Sequence, residues 1–229
     1  MRTSRPVIVP AIMADEWESL VRQIESVSEV ATQVQIDVMD GVLVPSFSFP
    51  YNQSILEGQQ LPHSDSIIFE AHLMVRHPQE VGLRFIDAGV QRIVAQIEGF
   101  REGEAVRVCT SWNKAGAETG VSLMLQTSLD SVYELIDTGS VSFVQIMSIA
   151  RVGFQGEEFD ERAIVRVRSL RERYPDVTIG VDGGVGEGVL GVLLDAGATR
   201  FGVGSEVMHA QKPSAALAHM QEYLDKYAQ

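Results

Sequence analysis

Four ionisable side chains close or nearly close apolar runs, where a buried strand would open into a loop. Asp37 lies in "VQIDVM" (34–39), His72 late in "IIFEAHLMV" (67–75), Glu98 at the end of "RIVAQIE" (92–98) and Asp182 at the end of "VTIGVD" (177–182). A carboxylate at such a boundary can do chemistry or can merely cap a turn. Asp182 is followed at once by Gly183 and Gly184. Paired glycines let backbone N–H groups approach an anion closely, and a helix N-terminus after them adds a favourable dipole. "GVGS" (202–205) repeats the device with Gly204 and Ser205. A third glycine loop, "RVGFQGEEF" (151–159), carries Gly153 and Gly156 and is placed to fold over a ligand.

These residues need a scaffold that brings them together. Eight short apolar runs, beginning with "VIVPAI" (7–12) and ending with "RFGVG" (200–204), alternate with amphipathic stretches such as "DEWESLVRQIESVSE" and "DERAIVRVRSLRERYP". Strand–helix alternation implies parallel strands joined by right-handed crossovers. The expected fold is α/β, a (β/α)8 barrel occupying residues 1–229 as a single domain. The weakest unit follows the second strand, where only "YNQSILEG" offers a short helix. An open doubly wound sheet would require a glycine-rich turn after the first strand, and "VPAIMADEW" has none. In a barrel, chemistry belongs at the carboxyl ends of the strands, and loops after strands seven and eight commonly hold phosphate. The acids and glycine pairs fall at those positions, and Met39, Met74 and Met147 follow strands two, three and six.

The composition narrows the partners. The 229 residues carry 31 acidic against 18 basic side chains, a formal net charge of −13, which argues against nucleic acid or an anionic membrane surface. A small anion bound by backbone dipoles is not excluded by that charge. The lone cysteine, Cys109, rules out an intrachain disulfide framework and reads as a buried thiol. No apolar run reaches the roughly 18 residues of a membrane span and "MRTSRP" has no signal-like apolar region, so a cytoplasmic protein is expected.

The segments "VPAIMADEW", "IDVMDGVLVP", "EAHLMV", "VGFQGEEF", "IGVDGGV" and "AGATRFGVGS", in this order, resemble the motifs of the ribulose-phosphate 3-epimerase family over essentially the whole chain. The resemblance implies a (β/α)8 barrel that inverts the carbon beside the ketone of a pentulose 5-phosphate. Such an inversion needs a base on one face and an acid on the other, with a planar enediolate between them. By resemblance Asp37 and Asp182 are that pair, and Met39, Met74 and Met147 cover the reacting carbon; Glu98, from its place at a strand end, is expected to line the substrate site. Asp40 is expected to form a turn with Gly41. The resemblance also implies a small phosphorylated sugar as ligand and the prospect of homo-oligomers.

Family members bind a divalent metal through His, Asp, His and Asp. The matching positions here are Gln35, Asp37, His72 and Asp182, so three of four ligand types remain. An amide oxygen suits Mg²⁺ or Mn²⁺ better than Zn²⁺, and the change is expected to weaken or abolish metal binding. "VQID", "AQIE" and "VQIM" further suggest that Gln35, Gln96 and Gln145 lie at one level on alternate strands and form a layer of mutually bonded amides. Other departures are Ala11 for the usual serine, a changed strand-five loop in "LMLQTS", and Arg151 added to the strand-six loop. Two further readings stand beside the epimerase. One is a phosphosugar-binding barrel with a degraded metal site and no activity or another substrate. The other is a decarboxylase, which would carry Lys where this chain has Met39.

Overall fold

The computed structural model describes residues 5–52 and 56–228. Eight parallel strands close into a barrel in chain order. They are β1 (Val7–Ile12), β2 (Gln33–Met39), β3 (Ile68–Met74), β4 (Arg92–Gln96), β5 (Glu118–Leu123), β6 (Phe143–Met147), β7 (Thr178–Asp182) and β8 (Arg200–Val203). The helices are α1 (Trp17–Val27), α2 (Gln79–Asp87), α3 (Ala105–Lys114), α4 (Asp130–Asp137), α5 (Arg162–Arg173), α6 (Glu187–Ala196), α7 (Ser205–Met208) and α8 (Pro213–Tyr227). The strands form because β-branched residues are buried on both faces; all five residues of β6 are buried. The helices pack one apolar stripe against them. In α1 the stripe is Leu20, Ile24 and Val27, and in α5 it is Ala163, Val167 and Leu170, the spacing of one helical face.

The unit after β2 departs from the alternation. Residues 53–55 of the expected "YNQSILEG" helix lie outside the described residues, and no helix is described between β2 and β3. That crossover is held by side chains instead. Asp40 accepts hydrogen bonds from Val42 N at 2.8 Å, Leu43 N at 2.9 Å and, across to the loop after β3, Arg76 N at 2.7 Å. Asp40 is the turn former, as its Asp-Gly sequence implies.

β4 stops two residues short of Glu98, which falls in the 3₁₀ turn Ile97–Gly99. The chain turns because the Glu98 carboxylate reaches sideways, accepting from Met124 N at 2.9 Å and from the Thr127 hydroxyl.

A floor of four side chains closes the amino-terminal end of the barrel, each the first residue of an even-numbered strand: Gln33, Arg92, Phe143 and Arg200. Both guanidiniums lie over the Phe143 ring, at 4.4 and 5.6 Å, and both pair with buried Glu70, at 3.4 and 2.8 Å. Counting from this floor corrects the amide layer. Gln35 and Gln145 stand two residues above it and Gln96 stands four. Strand tilt staggers neighbours around a barrel, so equal position in an apolar run does not mean equal height.

Candidate active site

The carboxyl ends of β2, β3 and β7 bring Asp37, His72 and Asp182 together. One ligating atom from each lies within 4.8 Å of the others. His72 Nδ1 is 3.3 Å from Asp37 Oδ1 and 3.2 Å from Asp182 Oδ2. Gln35 points inward, as alternation from Asp37 requires. Its Nε2 donates to Asp37 Oδ1 at 3.0 Å and to Asp182 Oδ2 at 2.8 Å, bridging the two acids. Gln145 donates to the same Asp182 oxygen at 3.1 Å. Gln96 meets the other side of the imidazole, Nε2 to Nε2, at 3.2 Å. The three amides therefore turn onto the histidine and the acids, not onto one another. Buried carboxylates and an imidazole in the barrel centre offer stronger, charge-assisted partners than another amide does.

Burial sets the acid–base character of the cluster. It pushes the Asp37 carboxyl above the ordinary carboxylate range, and the hydrogen bond with His72 offsets this only in part. For His72 burial acts downward, but the hydrogen bonds and negative charges of Asp182 and Asp37 together outweigh it and raise the imidazole to about 10.

Above the cluster opens a cavity of about 280 Å³. Asp37, Asp182, Met74 and Met147 line it on the barrel side, and Gly153, Gly156, Gly183, Gly184, Gly204 and Ser205 line it at the loops. The glycine pair after β7 is required by geometry. Gly183 and Gly184 have φ of 102° and 64°, and a β-carbon on Gly184 would lie 2.6 Å from Phe159 N in the strand-six loop. Met39 and Glu98 are not among the lining residues. Met39 is packed under the mouth with Val44 and Val152, and Glu98 holds the loop after β5, so both lie behind the cavity surface.

Several residues of the site escaped the sequence reading. Gln155 lines the cavity and donates across its mouth to Ala11 O at 3.2 Å, latching the strand-six loop to β1. Ser48 Oγ bonds Asp37 O at 2.7 Å, and Ser148 Oγ bonds Asp182 O at 3.0 Å, so each acidic strand end is tied by a serine from a loop. Gly202 makes room for Asp182, since a β-carbon there would lie 2.9 Å from Asp182 Oδ1. Glu157, Glu158 and Glu206 add three carboxylates to the lining, and no lysine or arginine is among the described lining residues. Arg151 lies outside, paired with Glu157 and stacked at 5.2 Å over Phe154. The remaining histidines, His63, His77, His209 and His219, are exposed.

A parallel barrel that gathers two acids, an imidazole and glycine loops at the carboxyl ends of its strands has the layout of a (β/α)8 enzyme. Comparison with known proteins gives the family. The sequence profile of the ribulose-phosphate 3 epimerase family matches residues 7–208, and the chain belongs to that family of carbohydrate-phosphate epimerases. Ribulose-phosphate 3-epimerase of Aquifex aeolicus is 30% identical over 210 residues, covering 90% of each chain. The cytoplasmic isoform of ribulose-phosphate 3-epimerase from Oryza sativa subsp. japonica is 27% identical over 222 residues, covering 95% of this chain and 94% of its own. Among solved structures, KGPDC from Streptococcus mutans in complex with D-R5P superposes with a TM-score of 0.72 at 15% identity, over 97% of this chain and 98% of its own. Orotidine 5'-monophosphate decarboxylase from Sulfolobus solfataricus does so at 0.65 and 12%, over 98% and 100%. Likeness at such identities is likeness of fold. No helix among the described residues is long and apolar enough to cross a membrane.

Proposed function

We propose that the chain epimerises a ketose phosphate at the carbon beside its carbonyl, with Asp37 and Asp182 exchanging the proton. The observation that carries this reading is that two acids from opposite parts of the barrel share one hydrogen-bonded cluster and line one cavity. Each gives one oxygen to the cluster, Asp37 its Oδ1 and Asp182 its Oδ2. The other oxygen of each is left for a substrate. One carboxylate removes the proton from one face, the carbon flattens into an enediolate, and the second acid returns a proton to the other face. The upward push on Asp37 favours its acid form, and the imidazole beside both acids steadies the charge that passes between them. Met74 and Met147 supply a pliable apolar wall that keeps water from the enediolate. Backbone N–H groups of Gly183, Gly184, Gly204 and Ser205 would hold the phosphate, the side chains offering no cation.

The donor set fits a divalent cation. Asp37, His72 and Asp182 would hold it, with Gln35 contributing its amide oxygen once the amide is turned over. Bound there, the cation would supply Lewis-acid stabilisation of enediolate charge. A neutral amide in place of an imidazole favours Mg²⁺ or Mn²⁺ over Zn²⁺ and lowers affinity. The competing reading, a barrel that binds a phosphosugar without turning it over, is favoured by one contact. Gln35 occupies both acids at once, and a carboxylate so engaged is a weaker base.

Proton exchange separates the two. Ribulose 5-phosphate incubated in D₂O with Mg²⁺ or Mn²⁺ should incorporate deuterium at carbon 3 and yield the epimer, followed by NMR. Asp37→Asn and Asp182→Asn should each lower the rate by at least about 10²-fold. Saturable binding with no exchange would leave the non-catalytic reading standing.

A further inference from the structure

Gln96 ends β4 and is fully buried. Among the described residues its amide has one polar contact, Nε2 to His72 Nε2 at 3.2 Å, and its buried Oε1 has no partner. Two facing nitrogens form a hydrogen bond only when one of them is bare. With Gln96 donating, His72 Nε2 must be bare and the ring proton sits on Nδ1. That is the nitrogen turned toward Asp37 and Asp182. A protonated Nδ1 donates to the acids and has no lone pair for a cation.

Turning the amide over reverses each of these consequences. Oε1 then accepts from Nε2–H and is no longer orphaned. Once a cation has displaced the Nδ1 proton, that nitrogen's lone pair is aimed between the two carboxylates. Oxygen and nitrogen of an amide are nearly equal in shape, so the exchange needs no repacking.

We infer that Gln96 is the positioning residue of the cation site: by accepting Nε2–H with Oε1 it fixes the His72 tautomer and makes Nδ1 the ligand nitrogen. This rests on the cation site of the proposed function and is independent of the sugar. Partners of this kind on a ligating histidine set ring orientation and basicity, and their loss typically costs about 10–100-fold in metal affinity.

The test uses the purified protein without substrate. In ¹⁵N NMR at one fixed pH, Zn²⁺-loaded wild type should show His72 with its proton on Nε2. Gln96→Leu should bind Mn²⁺ about 10–100-fold more weakly by calorimetry. Gln96→Glu, which presents an acceptor of the same shape, should bind at least as tightly as wild type. Unchanged affinity in Gln96→Leu, or a Gln96→Glu variant as weak as the leucine one, overturns the assignment. So does a proton on Nδ1 in the Zn²⁺-loaded wild type, a result that needs no variant to fold. Failure of wild type to bind any of these cations also overturns it, whereas the deuterium-exchange experiment decides the two-acid reading separately.

Discussion

Glu206 is a carboxylate in a cavity proposed to receive a phosphate. It lies against Gly186 at the start of α6, close enough that a β-carbon on Gly186 would collide with it. Its side chain is largely exposed, so solvent and salt weaken its field without removing it. Replacing Glu206 with Gln should tighten binding of inorganic phosphate about fivefold in low salt and less in high salt, measured by calorimetry. No change would mean that the carboxylate does not face the bound anion. Gly202 is the complementary case. Alanine there would push on Asp182 Oδ1 from 2.9 Å, and an aspartate side chain is too short to yield without leaving its hydrogen bonds to Gln35 and Gln145. Gly202→Ala should lower kcat by about 10²-fold while leaving the urea midpoint nearly unchanged. A variant with full kcat would show that the position of Asp182 is not critical.

At the scale of elements, the site is a set of strand ends tied by loop side chains. Asp40 joins the turn after β2 to the loop after β3 through three backbone N–H groups. Asp40→Ala would leave those donors without their charged acceptor. We expect a loss of about 3 kcal/mol in urea denaturation, with impaired catalysis, because β2 carries Asp37 and β3 carries His72. The same logic explains Ser48 and Ser148, which bond the backbone of the two acids. Glu98 ties the loop after β5 in the same way, both of its bonds falling on Oε1.

At the scale of the molecule, the barrel stacks its site directly on a charged floor. That floor buries Glu70 between Arg92 and Arg200, two residues before His72 on β3. Glu70→Ala would leave buried Arg200 without its carboxylate and Arg92 with Glu118 alone, and should destabilise the fold by about 3–5 kcal/mol, read from the urea midpoint. Calorimetry on the folded fraction should find Mn²⁺ affinity unchanged; a parallel loss of affinity would mean that floor and site are coupled. Cys109 reports on the whole fold. Burial raises its thiol to about 12, so the native protein holds almost no thiolate at neutral pH. Its alkylation should be slow in buffer and complete in denaturant, with a rate that follows global unfolding. Rapid labelling of native protein would show that α3 opens locally.

The chain's periodicity and turn chemistry were enough to specify the barrel, Asp37 near the end of β2, Asp182 at the end of β7, the turn at Asp40 and the glycine pairs. Each of these is a local property: which residues alternate, which stretch amphipathically, and where only glycine fits. Side-chain partners were not legible in that way. The heights of Gln35, Gln96 and Gln145 depend on the stagger of tilted strands, which no single strand encodes. That Glu98 turns away, that Gln155 reaches Ala11 from 144 residues along the chain, and that Gly202 yields space to Asp182 are facts about neighbours distant in sequence. Only closure of the barrel sets those neighbours, because it alone decides which buried polar group finds which partner.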